Sequence, residues 1–187
     1  MIKGNSILEK KASLEEMIHY VMDNSSFYQK HFKGSDISNF KSLPFTTKED
    51  IAEQNELLCC VEKSNVAEYV TTSGTSGEPI TIFLTNNDLE RLAENERASL
   101  SLMNGSENDI YQLLTTIDKQ FMAGIAYYMG AQRLGAGIVR VGPGSPFLQW
   151  DSIKRFSPTV LIAIPSFIPK LIDYAKENGI DFNNTSV

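Results

Sequence analysis

The segment of this sequence best suited to chemistry is a short polar loop within residues 69–84, YVTTSGTSGEPITIFL. Glycines let successive backbone N–H groups converge without obstruction by a Cβ atom, and hydroxyl side chains add further hydrogen-bond donors. A concave set of such donors binds anions, phosphate oxygens in particular. The residues that would supply these donors are Thr72, Ser73, Gly74, Thr75, Ser76 and Gly77.

Composition alone leaves a second interpretation of this loop open. Ser, Thr, Gly and Pro are ordinary turn residues, so a solvated hairpin turn fits the same letters. A Walker loop is excluded, because the GxxxxGK[ST] spacing is absent and no strongly predicted helix follows directly. The choice between anion binding and a plain turn therefore depends on the elements around the loop.

Length and charge narrow the class of protein. The 187 residues are 42% apolar and 21% charged, which is typical of one globular domain or a large part of one. The net charge of −6 argues against a nucleic-acid or anionic-membrane partner. No apolar window is long enough to span a membrane, and the N-terminus MIKGNSILEKK lacks the apolar core of a secretory signal. The sequence predicts a cytoplasmic protein.

The cysteines and histidines favour structural roles. Cys59 and Cys60 are adjacent and too few for a zinc site, so we expect a reduced, structural pair, with a vicinal redox pair as the alternative. His19 and His31 lie among aromatic residues, and neither has an Asp or Cys at motif spacing. No metal site and no catalytic residue is predicted from these side chains.

The first third of the chain has a helical pattern. Apolar residues recur at helical spacing over residues 6–32, with Ser13 and Glu16 as a capping box. Thr46 or Thr47 would cap a short helix that begins in FTTKED. These features predict a helical N-terminal segment over residues 1–68.

From residue 69 onward, strand-like and helix-like stretches alternate. A helix is predicted from Asn87 to Met103, a second over FMAGIAYYMGAQRL, ending at Gly135, and a third after Pro165. Such alternation predicts an α/β fold with a mostly parallel sheet flanked by helices over residues 69–187. The predicted strands are YVTTS, ITIFL, IYQLLT, GIVRV and TVLIAI.

The amino-acid sequence of the loop and of its surroundings resembles that of a known family. TTSGTSGEP is similar to the phosphate loop of the adenylate-forming (AMP-binding) enzymes. Four further stretches resemble one branch, the phenylacetate-CoA ligase family, in the same order along the chain. They are MIHYVMDNSSFYQKHF, LPFTTKED, YYMGAQRLGAGIV and IPSFIPKLID.

The resemblance implies the N-terminal portion of an adenylate-forming large domain and an acid-thiol ligase that uses ATP, Mg²⁺ and CoA. A small-molecule carboxylic acid would attack the α-phosphate of ATP, and CoA would then displace AMP from the acyl-adenylate. On this resemblance the loop residues 72–77 bind the β- and γ-phosphates. A second set, which core packing would explain equally well, would line an acyl pocket: Phe121, Met122, Gly124 and Ile125.

Two departures from the family pattern affect these expectations. Many members carry Lys where this chain has Glu78, and a carboxylate repels a triphosphate. Lys119 would supply the missing cation or be a solvated lysine at a strand end. Asp118 and Lys119 place two charges near the acyl pocket, so phenylacetate itself fits poorly.

The segments that the family places downstream do not occur in these residues. They include the adenine-binding segment, the Mg²⁺-binding acidic residue, the ribose-binding aspartate and the C-terminal lid. We therefore expect this chain alone to be inactive and to self-associate, as a homodimer, through an exposed sheet edge. Two alternatives stay open: acyl transfer to a protein, as in the acyl-protein synthetases, and a non-catalytic truncated binding module.

Overall fold

A computed structural model describes residues 7–72, Gly74 and residues 79–187, with side chains described from Leu14 onward. The chain divides into one compact unit that ends at Phe83 and a second that spans Leu84–Val187. The boundary predicted between residues 68 and 69 stays a prediction. Within the described ranges, none of the helices has the length and apolar character needed to cross a bilayer.

The described residues form helices and two separate sheets. The helices are α1 (Ile7–Asn24), α2 (Ser26–His31), α3 (Lys48–Glu53), α4 (Asn55–Leu58), α5 (Asn86–Leu102), α6 (Met122–Leu134), α7 (Pro146–Phe156) and α8 (Ile168–Glu177). The strands are β1 (Glu68–Thr71), β2 (Thr81–Leu84), β3 (Ile110–Leu113), β4 (Gly137–Arg140) and β5 (Val160–Ile162). Strands β1 and β2 pair with each other, while the second sheet has the order β4-β3-β5 and is parallel throughout.

Helices α1 and α2 replace the single helix predicted over residues 6–32. The break is at Ser25, which is fully buried and has extended dihedral angles (φ −119°, ψ 119°). Its hydroxyl donates to the carbonyl of Leu57 at 2.7 Å and accepts from the N–H of Tyr28. The predicted capping box at Ser13 is wrong, because α1 begins at Ile7 and Ser13 lies inside it.

The helix predicted in FTTKED is confirmed as α3, with Thr47 as its cap. The Thr47 hydroxyl accepts from the N–H of Asp50, and the Asp50 carboxylate accepts from the Thr47 N–H at 2.9 Å. These bonds hold the pKa of Asp50 below its usual value. His31 stacks on Phe27 and hydrogen-bonds the Phe45 carbonyl at 3.0 Å, which confirms its predicted packing role.

Buried apolar residues pack against both faces of the parallel sheet in the second unit. Successive residues of a strand point to opposite sides, so Tyr111 and Leu113 of β3 pack with Ala131 of α6, whereas Leu114, just beyond β3, packs with Trp150 of α7. Full burial of one large apolar side chain stabilises a fold by about 1.5–3 kcal/mol. The predicted α/β class with a parallel sheet and flanking helices is confirmed.

The chain order of this sheet creates a topological switch point. Helix α6 connects β3 to β4, which lies on one side of β3 in the sheet. Helix α7 connects β4 to β5, which lies on the other side of β3. Because parallel crossovers are right-handed, two connections in opposite directions place α6 and α7 on opposite faces. The segments that leave β3 and β4 therefore diverge, and open α/β sheets bind ligands in such crevices.

Helix α5 begins at Asn86, one residue before the predicted start at Asn87. Its cap is Thr85, whose hydroxyl accepts from the N–H of Asp88, and the Asp88 carboxylate returns a bond to the Thr85 N–H. The capping box at the start of α5 is therefore formed by Thr85 and Asp88. The stop of α6 at Gly135 is confirmed, since Gly135 has φ 85° and closes the helix with its N–H.

Candidate functional site

The polar loop is closed at its base by two hydrogen bonds. The Thr72 N–H donates to the Ile80 carbonyl at 3.0 Å, and the Ile80 N–H donates to the Thr72 hydroxyl oxygen at 3.0 Å. Thr72 is exposed and Ile80 is buried. Thr72 therefore uses its amide and its hydroxyl oxygen for this closure, and its hydroxyl hydrogen has no acceptor among the described residues.

Gly74 lies beyond this closure and is half-buried with φ 63°. In this left-handed region a Cβ atom is unfavourable, so glycine is the residue that the backbone requires here. Ser73, Thr75, Ser76 and Gly77 lie outside the described residues. Their predicted part in phosphate binding, like that of Gly74 and of the Thr72 hydroxyl, stays a prediction.

The strands on both sides of the loop are fixed to the first unit. Val70 of β1 is buried, and the ring of Tyr69 meets that of Phe83 edge-on at 5.6 Å. The Asn55 side-chain amide donates to the Thr81 carbonyl at 2.8 Å, which ties β2 to the start of α4. The residues that flank the loop on both sides therefore belong to an anchored pair of strands.

The four predicted acyl-pocket residues surround the start of α6. Phe121 is the N-cap residue, and it and Met122 are 46% and 37% exposed, while Ile125 is half-buried. Gly124 is buried against the Thr116 backbone, and a Cβ atom there would lie only 2.7 Å from the Thr116 carbonyl carbon. Gly124 thus allows α6 to approach the segment after β3, and the pocket assignment of the four stays a prediction.

A cleft of about 580 Å³ lies at the switch point of the parallel sheet. We call it the switch-point cleft. Residues 117–119 follow β3, and residues 140–143 end and follow β4, so both walls come from the diverging segments. The lining residues are Ile117, Asp118, Lys119, Arg140, Val141, Gly142 and Pro143.

The turn that carries Lys119 has an unusual backbone. Lys119 and Gln120 both have φ 59°, in the left-handed region that side chains other than glycine seldom adopt. Each such residue costs on the order of 1–3 kcal/mol, which the surrounding structure must offset. The Phe121 N–H donates to the Asp118 carbonyl at 3.3 Å and closes this turn. Lys119 is thus held at the cleft by a strained turn.

A buried pair of amides holds the other wall of the cleft. Gln112 Nε2 donates to Gln149 Oε1 at 2.9 Å, and Gln149 Nε2 donates to the Gly142 carbonyl at 2.8 Å. Both glutamines are almost fully buried. Hydrophobic periodicity does not reveal this pair, although a glutamine inside the apolar strand IYQLL indicates that a polar partner lies opposite.

The two cysteines line a separate cleft in the first unit. Burial, and then the neighbouring Cys59, raise the pKa of the Cys60 thiol. Both are free, and a protonated thiol is a poor nucleophile and metal ligand. Within the described residues no three His, Cys, Asp or Glu side chains are grouped so that they could hold a metal ion.

Comparison with known proteins places these features in context. No family profile matches the sequence. The chain is 27% identical over 183 residues to a phenylacetate-coenzyme A ligase of Aromatoleum evansii, covering 93% of the chain and 41% of that protein. The corresponding ligase of Thermus thermophilus is 28% identical over 176 residues, covering 89% and 39%. The chain resembles the N-terminal portion of these ligases.

This finding confirms the resemblance that the motifs predicted. The chain spans about 40% of the length of the curated relatives that it matches. A crystal structure of 2-hydroxyisobutyryl-CoA ligase, in complex with 2-HIB-AMP and CoA, superimposes with a TM-score of 0.82 at 20% identity. That match covers 94% of the chain and 41% of the ligase, and it shows that the two share a fold.

Proposed function

We propose that this chain is the N-terminal part of an ATP-dependent acyl-activating ligase that forms CoA thioesters. The observation that carries the proposal is the similarity to phenylacetate-coenzyme A ligases over about nine tenths of the chain, in which the glycine- and hydroxyl-rich loop follows β1. An anchored pair of strands and a closed loop base suit a loop that must hold its donors in place.

The reaction requires activation of a carboxylate, which is a poor acylating agent. A carboxylate oxygen bonds to the α-phosphorus of ATP as the bond to the bridging oxygen breaks, and pyrophosphate leaves. The sulfur of CoA then bonds to the acyl carbon, AMP leaves with the carboxylate oxygen, and the thiol proton is lost to solvent. Negative charge grows on the departing pyrophosphate, so donors already directed at it lower the barrier.

In this proposal the loop residues 72–77 donate hydrogen bonds to the β- and γ-phosphates. Removal of one preorganised donor costs on the order of 3 kcal/mol in the transition state. Mg²⁺ is expected from the family resemblance, but the described residues gather no group of acidic side chains for it. We therefore assign no Mg²⁺ ligand and no catalytic residue to this chain.

The proposal is tested by pyrophosphate exchange into ATP, measured on a complete polypeptide that contains this chain. We expect the double variant Thr75→Ala, Ser76→Ala to abolish exchange, because two loop donors are lost. The matched control is Ser64→Ala with Ser166→Ala, which removes two exposed hydroxyls outside the loop. Exchange at the wild-type rate in the loop variant would remove the loop from the mechanism.

Two finer expectations accompany the proposal. The chain alone is expected to form no acyl-adenylate, because activation needs ATP and acid aligned together and this chain is about 40% of its relatives' length. Self-association as a homodimer through β4 or β5, the outer strands of the parallel sheet, is measurable by light scattering. Both stay predictions, as does a cytoplasmic location.

The non-catalytic binding module is the second candidate function, and Glu78 favours it. A carboxylate in the loop repels the phosphates that the ligase must bind. Restoration of the family's lysine by Glu78→Lys separates the two. A ligase gains affinity for ATP in this variant, whereas a binding module shows no exchange with either residue.

A further inference from the structure

The switch-point cleft is open to solvent, and its lining combines three apolar side chains with exposed charged ones. Ile117, Val141 and Pro143 supply apolar surface, and Lys119 and Arg140 supply two cations from opposite walls. Such a mixture suits a small organic molecule with an apolar body and an anionic end.

Arg140 differs from the other arginines of this chain. Arg91, Arg97, Arg133 and Arg155 each form an ion pair with a nearby carboxylate. In the part of the chain that the structure describes, Arg140 has no carboxylate within ion-pair distance. A guanidinium that stays unpaired at a cleft is available for a ligand's carboxylate, which it can bind through two parallel N–H donors.

The guanidinium of Arg140 lies over an aromatic ring, that of Tyr128. Its guanidinium carbon lies 5.4 Å from the centre of the Tyr128 ring on α6. A cation over a ring face is attracted by the ring's electrons, and this contact is not a hydrogen bond to an acceptor atom. Tyr128 therefore stabilises the charge of Arg140 at the cleft without neutralising it.

Lys119 reaches the cleft from the turn after β3. Its left-handed backbone, with φ 59°, is a conformation that lysine adopts only when the surrounding structure imposes it. Among the described residues Lys119 also has no carboxylate within ion-pair distance. Asp118 lines the same cleft, so the three charged side chains together carry one net positive charge.

We propose that the switch-point cleft binds an anionic group of the acid substrate, so that the acid activated by the parent enzyme is a dicarboxylate. This inference rests on the proposed ligase function, because it is the ligase reaction that makes the acid a substrate. Binding of the acid to the cleft does not itself require ATP. One carboxylate is left for activation, and the other pairs with Arg140 and Lys119. The apolar residues contact the carbon skeleton between them.

The test compares two ligands that differ only in the second carboxylate. Phenylacetate and 4-carboxyphenylacetate are titrated separately into the 187-residue chain, without ATP, and the amide resonance of Gly142 is followed by NMR. We expect the dicarboxylate to bind roughly five-fold more tightly at low salt, a ratio in the range of an exposed ion pair, and the ratio to fall at high salt.

If the inference is correct, removal of a positive charge weakens binding of the dicarboxylate, and removal of the negative charge strengthens it. Arg140→Gln is expected to make the two ligands bind equally, and Lys119→Gln to reduce their ratio about two-fold. Asp118→Asn removes a repulsive carboxylate and is expected to raise the affinity for the dicarboxylate about two-fold. Lys170→Gln is the matched control, because this exposed lysine of α8 lies outside the cleft and its loss changes the net charge equally.

Each outcome decides the proposal. Selectivity for the dicarboxylate that disappears in Arg140→Gln and persists in Lys170→Gln supports it. Equal binding of both ligands to the wild-type chain overturns it, as does pyrophosphate bound at Gly142 more tightly than either acid, which would assign the cations to a nucleotide phosphate. Pyrophosphate exchange in the parent protein reports on the ligase function separately, since a ligase for monocarboxylates exchanges normally and fails only this test.

Discussion

At the scale of single residues, Thr72 has a structural role in addition to the phosphate-binding role that the sequence predicts. Its amide closes the loop on Ile80 and its hydroxyl oxygen accepts from the Ile80 N–H, so both groups act within the loop. The sequence predicted Thr72 as one of several phosphate donors. The structure adds a role that loop composition does not reveal: Thr72 closes the base of the loop on Ile80.

Replacement of Thr72 tests this closing role. We expect Thr72→Val to lower the free energy of unfolding by about 1 kcal/mol, because the Ile80 N–H loses its acceptor, and to speed hydrogen exchange at Ile80. Thr72→Ser keeps the hydroxyl and is the control. Urea denaturation and amide exchange measure both variants, and equal behaviour of Val and Ser at this position would argue against the closure.

At the scale of elements, the contact between α5 and α6 depends on Gly130. Gly130 is buried, and a Cβ atom there would lie against Glu96, 3.0 Å from its carbonyl carbon and 3.1 Å from the Arg97 nitrogen. Backbone atoms cannot move aside as a flexible side chain can. The absence of a side chain at Gly130 therefore sets how closely the two helices approach.

We expect Gly130→Ala to destabilise the fold by about 1–3 kcal/mol, the usual range for overpacking. Alanine is a better helix former than glycine by about 1 kcal/mol, so a stabilised variant would show that the helices separate easily. Gln132→Ala, on the exposed side of the same helix, is the control and should change stability by no more than about 0.5 kcal/mol. Chemical denaturation monitored by circular dichroism measures both.

Elements with a strong local pattern were predictable from the sequence. All five strands lie where their apolar runs predict, and α6 ends at Gly135 as its glycine indicates. Helix α7 was missed, because PGSP before it reads as a loop and its buried residues include the polar Gln149 and Ser152. The break at Ser25 was also missed, since a hydrogen bond to Leu57 produces it and helical periodicity continues through it.

The candidate site was predictable only where it is local in sequence. The loop of residues 72–77 was recognised by composition and resemblance. The switch-point cleft was not, because its two walls are separated by α6 and meet only through the strand order β4-β3-β5. The sequence predicts Lys119 either as the missing cation of the phosphate site or as a solvated lysine, and only the fold places it in the same cleft as Arg140.

At the scale of the whole molecule, the proposed ligase function gives this chain the role of a binding surface. The relatives that it resembles are ligases, and it spans about 40% of their length. Alignment of acid and ATP accounts for much of the catalysis in such reactions. In the proposal, this chain therefore recognises the phosphates through the loop and the acid through the switch-point cleft.

The central claim, that the glycine- and hydroxyl-rich loop binds the terminal phosphates of a nucleotide, is tested most directly by titration of the isotope-labelled chain with pyrophosphate. We predict that the amide resonances of Gly74 and Gly77 shift together and saturably, and that the shifts disappear in Thr75→Ala, Ser76→Ala. If neither glycine amide responds to millimolar pyrophosphate while the chain remains folded, the loop does not bind phosphate and the account is contradicted.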